Sequence, residues 1–227
     1  MKTPSHSNSK EFTKNLEKAL LKLQAVPQNN KTDEIATPLY LHKNFLVRKT
    51  FIDRFKAAYK MTSFRNKSVL DFGCGGGMFL QALSNEISKG IGVDIDTVVA
   101  KQVVNSDNII LKQIKNENEL ENFSNIDIIT AFDVLEHIKN LDPLLSIFKK
   151  ILSPSGNIII SGPTENSLYR LARKITRFGL KGNILGEEEH VSNIVDIKNK
   201  MVQSGFKIIK NVNLWSLFHI TSFSVDK

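Results

Sequence analysis

The spacing of apolar positions changes along this chain, and the change separates two regions. EFTKNLEKALLKLQ places Phe12, Leu16, Leu20 and Leu23 on one stripe at helical spacing, so an amphipathic helix is expected after nine polar, disordered residues. VPQNNKTDEIATP then reads as a linker, rich in Pro, Asn and Thr. HKNFLVRKTFIDRFKAAYKM returns to helical spacing, with Phe45, Leu46, Lys49, Ile52, Phe55 and Ala58 as its mixed face. From Ser68 onward the apolar residues gather into short β-branched runs bounded by turn residues. SVLDFG, GIGVDI, NIILKQI, IDIITAF and GNIIISG are expected strands. Between them lie MFLQALSNEISK, DTVVAKQVVNS, a weak polar segment NENELENF, and DPLLSIFKKIL. NSLYRLARKITRFG reads as another helix, and VDIKNKMVQSG leads into two last strand-like runs, FKIIKNVNLW and FHITSFSV. Strands alternating with helices in this way imply parallel pairing through crossover connections, the layered α/β architecture.

Composition narrows the class. A chain of 227 residues with 41% hydrophobic content can bury one substantial core plus an appendage. No run reaches the roughly 18 apolar residues that a membrane-spanning helix needs. MKTPSHSNSKEF lacks the apolar segment of a secretory signal, so a cytoplasmic protein is expected. The single cysteine, Cys74, excludes an intramolecular disulfide framework, and no His/Cys cluster has zinc-ligand spacing, so no metal is expected. The net charge of +8 is uneven: residues 1–66 hold 13 Lys and Arg against 5 Asp and Glu, whereas residues 67–227 hold 18 of each. A solvated basic face accounts for this simply; an anionic partner is the sharper reading. No basic motif interleaved with aromatic residues favours nucleic acid.

The chemistry concentrates in VLDFGCGGGMFL, where an apolar run feeds a turn of four glycines around one cysteine. In a doubly wound sheet the first strand-to-helix loop is where backbone approaches a ligand. The next strand, GIGVDI, ends in Asp94, 21 residues after Gly73. A carboxylate there can accept hydrogen bonds from both hydroxyls of a ribose, which points to an adenosine-containing cofactor. A dinucleotide fingerprint beginning at Gly73 requires glycine at position 78, where the chain has Met78. The spacing is instead D-x-G-x-G-x-G, from Asp71 through Gly77.

VLDFGCGGG resembles the first motif of class I S-adenosylmethionine-dependent methyltransferases, and GVDID is similar to their second, ribose-binding motif. IDIITAFDVLEHIKNLDPLLSIFKKILSPSGNIIISGPTEN resembles the family's fourth strand, its D-V-L-E-H segment, the following helix and the L-x-P-x-G turn into strand five. DVLEHI looks closest to small-molecule O-methyltransferases of the ubiquinone-biosynthesis type. The resemblance implies a Rossmann-like fold over residues 66–227: a seven-stranded, mostly parallel sheet ending in an antiparallel hairpin. Residues 1–65 are then an N-terminal helical lid. It also implies a cofactor loop of Gly73, Cys74, Gly75 and Gly77, with Asp71 at the methionine ammonium, Asp94 at the ribose and Ile95 at the adenine. Phe132 would face the cofactor from the acceptor side and Arg48 the methionine carboxylate. Where relatives carry an acidic residue for the adenine amino group, this chain has Lys115-Asn116-Glu117, and Asn116 can accept that bond through its amide oxygen.

Methyl transfer is an in-line displacement at a sulfonium, so placing the acceptor is most of the catalysis. An oxygen acceptor also needs its proton removed, and His137 is a candidate base because imidazole titrates near neutrality. The competing view is that Glu136 and His137 brace the next helix. His190, beside Glu187, Glu188 and Glu189, is a second candidate for base or cation ligand. AFDV stands where amino-group methyltransferases of nucleobases have Asn/Asp-Pro-Pro-aromatic, and Cys74 is not near strand four, where carbon-5 pyrimidine methylation needs a cysteine. A small-molecule oxygen acceptor is therefore expected, with nucleic acid disfavoured. Arg170, Arg173, Lys174, Arg177 and Lys181 recur opposite Leu168, Leu171, Ile175 and Phe178, so peripheral contact with an anionic membrane joins the expectations, beside plain packing on the core. A non-catalytic S-adenosylmethionine-binding module, a nucleic-acid methyltransferase and a nicotinamide oxidoreductase are the alternatives.

Overall fold

The computed structural model describes residues 6–27, 40–164 and 192–225. Its elements are α1 (His6–Ala25), α2 (Phe45–Tyr59), β1 (Ser68–Phe72), α3 (Met78–Leu83), β2 (Lys89–Asp94), α4 (Val98–Val103), β3 (Ile109–Gln113), β4 (Ile126–Phe132), α5 (Leu141–Ile151), β5 (Leu152–Pro163), α6 (Ile194–Gln203), β6 (Phe206–Leu214) and β7 (Phe218–Val225). Short 3-10 turns cover Glu117–Asn122 and Leu135–His137.

The seven strands form one sheet in the order β3-β2-β1-β4-β5-β7-β6. The first five pair in parallel, while β7 runs antiparallel to both β5 and β6. The expected C-terminal hairpin is therefore present, and β6 points the same way as the parallel strands. Neighbouring residues of one strand serve opposite cores, as strands covered on both faces require. Val69, Ile128 and Ile159 pack with α1, α2 and α3; Leu70, Ile129 and Ile158 pack with α5 and α6.

Phe12, Leu16, Ala19 and Leu23 bury one stripe of α1 in the same cluster as Phe79 and Val69. The helix begins at His6, inside the stretch expected to be disordered. Apolar spacing ran on upstream only as far as Phe12, but a helix needs no apolar residue in its first turn. Along α2 the buried residues are Arg54, Phe55, Ala58 and Tyr59, whereas Phe45 and Leu46 are 61% and 67% exposed. The expected apolar face is thus left exposed at its N-terminal end, and an arginine occupies the buried stripe.

α2 crosses the carboxyl edge of the sheet. Lys49 lies over the Trp215 ring after β6, Phe51 meets Phe218 at the start of β7, and Phe55 meets Phe132 at the end of β4. The expected helix MFLQALSNEISK is only Met78–Leu83. The L-x-P-x-G turn is absorbed into β5, where Ile126 pairs with Leu152 but Ile128 pairs with Asn157. The intervening residues of β5 loop out of register.

Candidate functional site

β1 delivers the chain into the glycine loop at the carboxyl edge. The N–H groups of Gly73 and Cys74 both donate to the Val93 carbonyl near the end of β2, at 2.9 and 3.1 Å, which folds the loop over that strand. Gly73, Gly75 and Gly77 have φ of +71°, +49° and +69°. A Cβ on Gly73 would stand 2.7 Å from a Val134 methyl, and one on Gly77 2.6 Å from a Val104 methyl. Left-handed backbone and close neighbours together exclude larger residues at these two positions. Cys74 is buried, with its sulfur 3.0 Å from where a Cβ on Gly92 would lie, in keeping with a small residue in a crowded turn.

Asp94 ties the loop to β2. Its Oδ2 accepts from the Gly75 N–H at 2.8 Å and its Oδ1 from the Asp96 N–H at 3.2 Å. Burial raises its pKa, while backbone N–H bonds from Gly75, Asp96 and Ile95 lower it and the Asp96 charge adds to the rise. Each oxygen retains acceptor capacity. Ile95, next in sequence, is 76% exposed.

Asp71 lies beneath the loop, fully enclosed, and the Thr130 hydroxyl donates to its Oδ1 at 2.6 Å. Burial pushes its pKa up to about 7; the Thr130 bond pulls the other way, and the Asp94 charge adds to the rise. Asp71, Gly73, Cys74, Gly75, Gly77 and Asp94 thus form one connected unit.

The other expected residues stand around it. Asn116 is exposed beyond β3, and its Oδ1 accepts from the Asn118 N–H at 3.1 Å, capping the 3-10 turn. Phe132 ends β4, its ring centroid 4.8 Å from Phe79 and 5.3 Å from Phe55. Arg48 donates from one terminal nitrogen to the carbonyls of His42 and Lys43 at the start of α2. His137 is exposed in the turn after β4, its N–H bonded to the Val134 carbonyl at 3.2 Å, while Glu136 beside it is buried. His190, the three glutamates beside it and the basic segment 166–181 lie outside the described residues. Among the described residues, no group of three His, Cys, Asp or Glu side chains could hold a metal ion. No described helix is long and apolar enough to cross a membrane.

One cluster escaped the sequence reading. Arg54, fully buried, forms an ion pair with Asp133, which follows Phe132 in a left-handed conformation with φ +51°. The guanidinium lies 4.5 Å from the Phe51 ring and 4.7 Å from the Phe218 ring, and reaches the Tyr40 hydroxyl at 3.3 Å. Asp133 also accepts from the Ser161 hydroxyl at 3.0 Å. An arginine within an apolar stripe, Phe51-x-x-Arg54-Phe55, was the available signal.

Comparison with known proteins agrees with this fold. Over 105 residues the chain is 35% identical to a ubiquinone biosynthesis O-methyltransferase of Glaesserella parasuis, a match covering 42% of this chain and 44% of that protein. A second such enzyme, from Pasteurella multocida, is 28% identical over 119 residues, covering 46% and 49%. The chain spans less than half the length of these curated relatives. Among solved structures, the N-methyltransferase NodS of Bradyrhizobium japonicum, in complex with S-adenosyl-L-homocysteine, superposes with a TM-score of 0.62 at 14% identity, covering 91% of this chain and 99% of that one. Magnesium protoporphyrin IX methyltransferase of Synechocystis gives 0.58 at 16%, covering 81% and 89%. At such identities the likeness is one of fold. The family described as Methyltransferase domain matches residues 40–211, from the approach to α2 into β6, and the chain belongs to that family.

Proposed function

We propose that this chain transfers the methyl group of S-adenosylmethionine to an oxygen of a small, lipid-soluble or lipid-linked acceptor. Asp94 is the observation that carries the cofactor. Its carboxylate holds the glycine loop and keeps acceptor capacity on both oxygens, which fits the two hydroxyls of a ribose. Ile95 leaves a large apolar side chain exposed beside it, a fit for the face of an adenine ring. The residues present therefore suit the group.

Asp71 serves the methionine ammonium, Arg48 its carboxylate, and the backbone of Gly73 and Gly75 the remainder of the tail. Asn116 accepts from the adenine amino group, and Phe132 walls the acceptor side. When bound, S-adenosylmethionine supplies a methyl group already activated by its sulfonium. The protein aligns the acceptor and excludes water, and α2 serves as a lid across the carboxyl edge. His137, exposed just beyond β4, takes the proton from the acceptor hydroxyl.

The choice of oxygen is supported by the ubiquinone-type relatives, one of which is 35% identical to this chain over 105 residues. A cytoplasmic chain working on a lipid-linked acceptor meets its substrate at a membrane surface. Calorimetric titration with S-adenosylmethionine and with NADH and NADPH tests the cofactor, and preference for a nicotinamide would overturn the reading. Methyl incorporation into a panel of phenolic and amine acceptors, with and without prenyl tails, tests the rest. Transfer confined to amines would replace the oxygen acceptor with nitrogen.

A further inference from the structure

Next to the carboxyl edge the chain displays large apolar side chains that the chemistry does not use. The turn joining β6 to β7 is closed by a bond from the Leu217 N–H to the Leu214 carbonyl at 3.0 Å, with φ of +56° at both central residues, Trp215 and Ser216. Hairpin turns with two left-handed central residues favour Asn and Gly, and a bulky aromatic is disfavoured there. Trp215 nevertheless holds that position and is 59% exposed. The turn is pinned by Thr164, whose N–H donates to the Leu217 carbonyl at 3.0 Å and whose hydroxyl donates to the Ser216 carbonyl at 3.1 Å. The tryptophan is thus presented by a fixed support.

Lys49 of α2 lies 5.4 Å from the Trp215 ring centroid, and Phe45 and Leu46 stand one helical turn before Lys49 on the same side. All three apolar side chains are more than half exposed. Lys43 and Lys49 are the neighbouring lysines in the chain, with Asp53 as the nearby acid, paired to Lys49. Because β6 is parallel to β1 and β4, this patch rims the same end of the sheet as the glycine loop.

We propose that Phe45, Leu46 and Trp215, flanked by Lys43 and Lys49, dock the mouth of the site onto an anionic lipid surface. A tryptophan with an apolar body and a polar N–H suits the headgroup boundary, and the cations complement lipid phosphate. Charge complementarity favours lipid over a second copy of this chain, since two copies of the patch would bring like charges together. The proposal deepens the lipid-linked acceptor reading by naming the surface that meets the membrane.

The chain contains one tryptophan, so its emission reports this patch alone. Adding phosphatidylglycerol-containing vesicles to the full chain should shift the emission to the blue at low salt, and raising salt to about 0.5 M should weaken partitioning about tenfold. Phosphatidylcholine vesicles should give a smaller response. The double variant Phe45→Ser/Leu46→Ser keeps the reporter and alters only exposed positions. It should partition about tenfold more weakly while binding S-adenosylmethionine as before, so loss of docking and failure of the cofactor reading are distinguishable. Unchanged emission with anionic vesicles overturns the proposal, as does equal partitioning of the double variant. A blue shift that grows with protein concentration in the absence of vesicles, accompanied by dimers in velocity sedimentation, makes the occupant a second copy instead.

Discussion

Arg54 and Asp133 form an ion pair that fastens α2 to the carboxyl end of β4, with the arginine side chain 1% exposed and the aspartate 19%. The pair sits between the aromatic cluster under α2 and the turn that carries His137. Any movement of α2 is therefore felt next to Phe132.

Breaking this pair from one side strands a buried charge. Asp133→Asn, which tolerates the left-handed backbone, should lower unfolding stability by about 3 kcal/mol because the guanidinium loses its counter-charge. Arg54→Met should cost less, since Asp133 keeps the Ser161 hydroxyl and some solvent. The double variant should be more stable than the two single effects predict, with a coupling of about 2 kcal/mol in urea titrations. Additive effects would show that the pair contributes little.

Asp71 gives stability a defined pH dependence. Its folded pKa, about 7, lies above the ordinary value of 3.8, so between these pH values the folded state holds a proton that the unfolded state has released. The favourable contribution is complete below about pH 4 and is lost as pH rises to about 7, by on the order of 2–4 kcal/mol in total. Asp71→Asn, neutral throughout and still able to accept from Thr130, should be flatter over this window and more stable than the parent at pH 8. Unfolding of both proteins at pH 5 and pH 8 is the check, and parallel curves would contradict it. If Asp71 meets a ligand ammonium as proposed, binding should also release up to one proton near pH 6, visible as a buffer-dependent calorimetric enthalpy.

Asp94 is expected to govern cofactor affinity more than fold stability. Asp94→Ala leaves the Gly75 and Asp96 N–H groups without their carboxylate and removes the proposed ribose acceptor. Loss of charge-assisted hydrogen bonds of this kind should weaken S-adenosylmethionine binding by about 10²-fold, with circular dichroism unchanged. Affinity within about twofold of the parent would place the ribose elsewhere.

Apolar spacing and turn residues were enough to read the strands and the glycine loop, because each is dictated by local chemistry: β-branched runs, glycines in a tight turn, an acid at a strand end; the antiparallel pairing of the last two strands came from the family resemblance. The buried side of α2 was not legible in the same way. Phe45 and Leu46 have helical spacing but stay exposed, and Arg54 enters the core only because Asp133, distant in sequence, meets its charge. Asp71 was read as a ligand contact, while its enclosure beneath the loop and its bond to Thr130 depend on β1 and β4 being neighbours. Strand adjacency of that kind is a tertiary fact. The spacing of Asp94 from Gly73 did not reveal that Asp94 would bind the loop itself.

His137 separates chemistry from architecture in a way that activity can read. Its main-chain N–H closes the turn onto the Val134 carbonyl, and alanine preserves that bond, so His137→Ala should leave the turn folded. If its imidazole accepts the acceptor's proton, turnover with a phenolic acceptor should fall by about 10²-fold or more, while S-adenosylmethionine affinity stays unchanged. The loss should be greatest near neutral pH and shrink at high pH, where the phenol ionises without help. Added imidazole should restore part of the rate. A turnover equal to the parent's at pH 7 would assign His137 to the turn alone and leave alignment of the acceptor as the source of catalysis.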